Sequence, residues 1–160
     1  MDSVPALLTL RPLEAQDETF SFQVYASTRA EEMSLVAWTA EQKHEFLWMQ
    51  FTAQRAHYQT YAPQSEWQVI LLDGQPAGRL IVDRSDAQRI ALKDIAILPE
   101  FRRQGAGTYL LQALIEEARA AGKQLLLHVE SFNPALNLYQ RLGFHPTGVQ
   151  RGVYEEMVWP

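Results

Sequence analysis

A glycine-containing segment with two arginines is the part of the chain best suited to bind a bulky anion. Residues 102–108, Arg-Arg-Gln-Gly-Ala-Gly-Thr, join a strand-like run to a strongly helical one. The missing Cβ atoms at Gly105 and Gly107 let a large anion approach the main chain. The unpaired amides and the positive dipole end of the following helix attract it. Because Arg102 and Arg103 add positive charge, the segment predicts a pyrophosphate site.

Two common nucleotide-binding motifs do not fit this segment. A Rossmann motif needs a third glycine, and Leu110 occupies that position. A Walker loop needs a lysine followed by serine or threonine, and no lysine follows Gly105 or Gly107. The structural alternative is a glycine turn that only begins a helix.

A second motif lies about one strand further along the chain. It covers residues 133–144, with the sequence Asn-Pro-Ala-Leu-Asn-Leu-Tyr-Gln-Arg-Leu-Gly-Phe. Together the two motifs resemble the GNAT superfamily of N-acetyltransferases. Residues 102–107 are similar to that family's Arg/Gln-x-x-Gly-x-Gly/Ala acetyl-CoA loop, and residues 135–144 are similar to its Ala-x-x-Leu-Tyr-x-x-x-Gly-Phe segment. Asn133 lies two positions before Ala135, whereas the family's usual asparagine lies three positions before its alanine.

The resemblance implies a set of residues that contact acetyl-CoA. The main chain of one strand would pair with the pantetheine arm, and backbone donors there would stabilise charge on the thioester oxygen. The glycine loop would hold the pyrophosphate. The implied coenzyme contacts are Ile95, Ala96, Ile97, Arg102, Arg103, Gln104, Gly105, Ala106, Gly107, Thr108 and Asn133.

Tyr139 is the candidate proton donor, because its position in the second motif matches the family. Attack of a neutral amine on acetyl-CoA expels a thiolate, and a phenol within hydrogen-bond reach of that sulfur can protonate or stabilise it. The alternative is a tyrosine packed between helix and sheet, with its hydroxyl bound to backbone or water.

A second group must take a proton, since an amine acceptor is mostly protonated at pH 7. Glu130 ends the strand before the second motif and is the favoured candidate, directly or through water. Period-two alternation puts His128 on the same face of that strand. Further options are Asp94, Glu31 and Glu32. For each of these residues the alternative is a solvated or ion-paired side chain.

Hydrophobic periodicity and turn residues predict the elements that position these groups. Strands are predicted at 7–10, 67–72, 78–83, 90–98 and 124–129, with two more within 144–159, and helices at 13–29, 40–61, 108–122 and 134–142. We therefore expect an α/β fold with a GNAT-like mixed, mostly antiparallel sheet and flanking helices. Its central strands, Ile90 to Leu98 and Gln124 to Glu130, should be locally parallel and splay apart at the glycine loop.

Composition limits the class of protein. The chain has 160 residues, no cysteine and a formal net charge of -5 at pH 7. This length fits one domain, and the resemblance implies that residues 1–160 are a single N-acetyltransferase domain. Because it has no dense Lys/Arg run, nucleic acid is not expected as a partner. The four histidines have no metal-ligand spacing, so we predict no metal. With no apolar run near the ~20 residues of a membrane span and no basic leader pattern, the chain is expected to be cytoplasmic and to contact no membrane.

The resemblance, together with the local physics of the glycine loop, thus implies an acetyl-CoA-dependent N-acetyltransferase that acts by direct attack of a primary amine, with no acyl-enzyme. The acceptor is expected to be a small-molecule or peptide amine. Polyamines, amino acids, aminoglycosides, peptide amines and protein lysines all fit, because residues 1–65 carry no diagnostic pattern. The alternatives are a non-catalytic acyl-CoA sensor of the same fold and a protein-interaction domain without coenzyme. The protein is expected to be a monomer or a homodimer.

Overall fold

The computed structural model describes residues 7–160, and its helices and strands largely follow the order predicted from the sequence. The elements are β1 (Leu8–Pro12), α1 (Glu18–Thr28), α2 (Ala30–Ser34), α3 (Ala40–Tyr61), β2 (Glu66–Leu72), β3 (Gln75–Asp83), β4 (Arg89–Ile97), α4 (Ala106–Ala121), β5 (Gln124–Glu130), α5 (Ala135–Arg141), β6 (His145–Arg151) and β7 (Tyr154–Trp159). The bounds of α3 coincide with the predicted ones. Helix α2 was not predicted, because its five residues are too few to show a helical period.

The strands form one seven-stranded sheet in the order β1-β2-β3-β4-β5-β7-β6. Every neighbouring pair is antiparallel except β4 and β5, which are parallel. This parallel ladder extends only from Arg89 opposite Gln124 to Leu92 opposite Leu127. Beyond that point the two strands separate. The expected mixed sheet with a splayed central pair is therefore confirmed.

A β-bulge in β4 coincides with the point of separation. Ile81 pairs with Asp94 and Val82 pairs with Leu92, so Lys93 is an extra residue between them. Such an insertion bends the strand and increases its local twist. The Tyr58 hydroxyl on α3 donates to the Lys93 carbonyl at 3.2 Å. The bulge thus directs the end of β4 away from β5, and α3 holds it there.

An ion pair with a buried guanidinium joins the bent strand to the helices on one side of the sheet. The guanidinium of Arg79 on β3 is 1% exposed and lies 2.9 Å from the Asp94 carboxylate. It also donates to the Ser21 hydroxyl of α1 at 3.2 Å and to the Gln54 amide oxygen of α3 at 3.1 Å. A buried charge needs such partners, since burial without them is costly. The network therefore fixes α1 and α3 against β3 and β4.

Helix α4 covers the opposite face of the sheet. Its stripe of apolar side chains packs with alternate residues of β5 in the main core, which includes Leu110, Leu111, Leu114, Ile115, Ala118, Leu125, Leu127 and Val129. Gly122 ends the helix in the left-handed region at φ 68, as its position predicts. Because β5 alternates, His128 and Glu130 lie on the other face, toward α1.

We predict that Gly78→Ala destabilises the fold, because Gly78 packs closely against the backbone of β4. A Cβ added at Gly78 would lie 2.2 Å from the Ala96 carbonyl oxygen, which is backbone and cannot rotate away. The expected loss in free energy of unfolding is about 1–3 kcal/mol, measured by urea denaturation. Gly107→Ala is the matched control, because a Cβ there meets nothing within 4 Å. Equal stability of the two variants would contradict the prediction.

Candidate active site

A cleft of about 470 Å³ opens where β4 and β5 separate. It is bounded by the end of β4, the loop that follows, and the first turn of α4. The lining residues are Thr28, Ile95, Ala96, Ile97, Phe101, Arg102, Arg103, Gly105, Ala106, Gly107, Thr108 and Leu138. The structure thus brings together nine of the eleven residues that the sequence assigned to the coenzyme.

One wall of the cleft is an unpaired strand edge. Residues 95–97 pair with β3 on one side, through Leu80, Arg79 and Gly78. On the other side β5 has already separated. Part of this edge is taken by the protein itself, because the Arg102 Nε donates to the Ile97 carbonyl at 2.9 Å. The remaining edge can bind an extended, amide-containing chain by adding hydrogen bonds.

The loop before α4 presents a row of free amides to the same cleft. Arg103 and Gly105 have positive φ, 63 and 80. Within the part of the chain that the structure describes, the amides of residues 103–108 donate to no protein acceptor. A Cβ built at Gly105 or Gly107 would meet nothing within 4 Å, so the space before the main chain is open. Together with the helix dipole, these amides favour an anion the size of a diphosphate.

Tyr139 lies on α5 and follows the lining residue Leu138 in sequence, but it is not itself among the residues that line the cleft. Its ring is half-buried and packs at 5.8 Å from the Phe144 ring. Burial raises the pKa of the Tyr139 phenol, and the negative charge of Asp94 raises it further. None of the hydrogen bonds found among residues 7–160 involves this hydroxyl. The phenol is therefore protonated at neutral pH and able to donate a proton.

Glu130 lies at the splayed end of β5, on the face that carries α1. Its carboxylate is 3.8 Å from Nη1 of Arg29, the residue between α1 and α2. Arg29 also contacts Glu32 at 2.9 Å and lies over the Tyr25 ring. Glu130, the predicted base, is thus part of a charged cluster on the face of the sheet opposite α4.

Two predicted coenzyme contacts lie outside the lining of the cleft. Gln104 is exposed in the loop, and Asn133 is exposed before α5. The Asn133 side-chain oxygen accepts a hydrogen bond from the Ala135 amide at 2.9 Å. This turn pairs a backbone amide at the start of α5, so the Asn133 side chain already has a hydrogen-bond partner within the protein.

Three lining residues, Thr28, Phe101 and Leu138, were not predicted. Thr28 comes from α1, which is far from the loop in sequence and carries no motif. Leu138 was available to the sequence analysis, because it precedes Tyr139 in the second motif. Arg79 was missed as well, although a charged residue within an apolar strand already indicates a buried partner.

Residues 7–160 contain neither a cluster of metal-binding side chains nor a membrane-spanning helix. Over this range no three His, Asp or Glu side chains lie close enough to hold a metal ion. None of the helices described is both long and apolar enough to cross a membrane.

Comparison with known proteins gives a consistent match. The family description "Acetyltransferase (GNAT) family" fits residues 23–144. The ribosomal protein bS18 alanine N-acetyltransferase of Escherichia coli K12 is 40% identical over 65 residues, which are 39% of this chain and 44% of that protein. Streptothricin acetyltransferase of Streptomyces lavendulae is 35% identical over 86 residues, which are 52% of this chain and 46% of that protein. The chain spans less than two thirds of the length of the curated relatives it matches.

A solved structure supports the fold over almost the whole chain. The PaiA N-acetyltransferase of Thermoplasma acidophilum, solved in complex with coenzyme A, superposes with a TM-score of 0.69. The match covers 96% of this chain and 98% of that one at 15% identity, so it supports the fold alone. The family match, the splayed sheet and the two motifs agree, and the chain belongs to the GNAT acetyltransferase family.

Proposed function

We propose that this chain transfers the acetyl group of acetyl-CoA to a primary amine of a small molecule or peptide. The observation that carries the proposal is the cleft at the splay, where an open strand edge and a row of free loop amides meet. An extended amide-containing arm fits the first feature, and a diphosphate fits the second. Coenzyme A contains both groups in one molecule.

Each part of the coenzyme has a proposed partner. The main chain of Ile95, Ala96 and Ile97 binds the pantetheine arm. The amides of residues 105–108 bind the diphosphate, and Arg102, Arg103 and Gln104 supply charge and donors at the loop. Asn133 stays a sequence-based proposal for a further contact. Backbone amides of the same strand edge are suited to stabilise charge on the thioester oxygen.

The proposed reaction is a direct transfer. The amine nitrogen forms a bond to the carbonyl carbon of the thioester while the carbon–sulfur bond breaks, and the sulfur leaves as a thiolate. Tyr139 gives its phenolic proton to that sulfur, and because burial raises the pKa of the phenol, the proton is present at neutral pH. The proton lost by the amine goes to a group on the α1 side, for which the sequence proposes Glu130. Holding both reactants in one cleft supplies much of the rate.

The relatives support nitrogen as the acceptor atom. One matched protein is named for N-acetylation of an alanine of a ribosomal protein, and another for acetylation of streptothricin. No feature of residues 7–160 favours the coenzyme sensor over the enzyme. We further propose that residues 1–160 form one acetyltransferase domain that works in the cytoplasm as a monomer or a homodimer, without a metal ion.

An amine screen tests the proposed function directly. The probes are spermidine, L-methionine, kanamycin and an alanine-initiated hexapeptide, each incubated with acetyl-CoA and the full chain. Release of free thiol above the amine-free rate is the expected result for at least one probe. Thiol release no faster than without amine for all four, by protein that still binds coenzyme A, would contradict the proposal.

We predict that Gly105→Ala weakens coenzyme binding far more than Gly107→Ala. At both positions an added methyl has no protein neighbour within 4 Å, but Gly105 has a φ of 80, which alanine rarely adopts. The dissociation constant of coenzyme A should rise about tenfold or more in Gly105→Ala, equivalent to ~1.4 kcal/mol, by isothermal titration calorimetry. Gly107→Ala is the matched control, because the family's loop motif accepts alanine at that position, and unfolding in urea checks that both variants are folded. Equal dissociation constants for the two variants would contradict the prediction.

We predict that Tyr139→Phe lowers turnover and leaves coenzyme binding nearly intact. The substitution keeps the ring packed on Phe144 and removes only the proton donor. The expected fall in kcat is about 100-fold, with less than a twofold change in the dissociation constant of coenzyme A. Tyr61→Phe is the matched control, because Tyr61 is 75% exposed at the end of α3. Similar turnover in both variants would remove the proposed role of Tyr139.

A further inference from the structure

His128 lies at the point where β5 separates from β4, and a carboxylate lies beside it. It is the first residue of β5 after Leu127, the last residue paired to β4. Its cross-strand neighbour on β7 is Glu156, and the His128 Nε2 lies 3.3 Å from the Glu156 Oε2. Both side chains are on the face opposite α4, which also carries Glu130.

Glu156 is itself held in place by a third group. The Thr147 hydroxyl on β6 donates to the Glu156 Oε1 at 2.8 Å. The Glu156 side chain is 15% exposed, whereas that of His128 is 35% exposed. A carboxylate fixed in this way orients an imidazole and favours the tautomer with hydrogen on Nε2. The Nδ1 lone pair is then free to accept a proton.

Three of the other candidate bases already have a cationic partner. Glu130 and Glu32 lie beside Arg29, and Asp94 is paired with the buried Arg79. These ion pairs help to hold α1, α2 and β4 in place. His128 differs, because its near neighbour is an anion that stabilises the imidazolium formed when it takes a proton.

We propose that His128, oriented by Glu156, is the proton acceptor for the attacking amine. This rests on the proposed acetyl transfer and replaces Glu130 in the role of base. As the nitrogen forms its bond to the acetyl carbon, its proton passes to the His128 Nδ1, directly or through water. The thiolate leaves with the proton from Tyr139, and Glu156 compensates the charge on the imidazolium. Glu130 then serves to position Arg29.

The test compares variants in the full chain, with whichever of spermidine, L-methionine, kanamycin and the hexapeptide the unmodified protein acetylates fastest. His128→Gln should lower kcat about 100-fold with the KM for acetyl-CoA unchanged, and Glu156→Gln should lower it about tenfold. Glu130→Gln should retain more activity than His128→Gln. His57→Gln on α3 is the matched control, since its ring lies against the Tyr61 ring instead of the cleft.

Rescue by a small base separates a chemical role from a structural one. Added imidazole should restore part of the activity of His128→Ala and none of the activity of Tyr139→Phe. Activity of His128→Gln within twofold of the unmodified protein would overturn the inference and leave the proposed function standing. Failure of imidazole to restore any activity to folded, coenzyme-binding His128→Ala would also overturn it. Thiol release no faster than without amine, for all four probes, from the unmodified protein would overturn the proposed function and the inference together.

Discussion

The shortness of the parallel ladder between β4 and β5 is the constraint on which the site depends. Four residue pairs join the strands, and after Leu92 and Leu127 they separate. A full-length ladder would satisfy the backbone of residues 95–97 internally and leave no edge for a ligand. The bulge at Lys93 and the Arg79–Asp94 ion pair keep β4 bent away from β5. The buried guanidinium of Arg79 therefore helps to keep the sheet open at this point.

Where β4 and β5 separate, the two faces of the sheet present different chemical groups. On the α4 side, main-chain groups dominate, and the free amides of residues 103–108 suit an anionic ligand with little dependence on side chains. On the α1 side, charged side chains dominate, among them Arg29, Glu130, His128 and Glu156. In the proposed reaction, the Tyr139 phenol and these charged side chains would act on a thioester bound in the opening.

The sequence grouped the residues that line the cleft better than the charged residues on the α1 side, for a physical reason. Most of the cleft lining comes from one continuous strand–loop–helix unit, in which Gly105, Gly107 and the helix pattern lie within a few residues. The α1 side is assembled from α1, β5, β6 and β7, so Arg29 meets Glu130 and Thr147 meets Glu156 only after folding. Periodicity along β5 put His128 and Glu130 on one face, but it could not identify their partners.

A crystal structure of the full chain with acetyl-CoA is the most direct test of the central claim. The account predicts diphosphate oxygens within about 3.2 Å of the amides of residues 105–108, with the pantetheine arm alongside residues 95–97 and the thioester at the apex of the splay. Coenzyme bound elsewhere, with those amides and that strand edge free of it, would contradict the account.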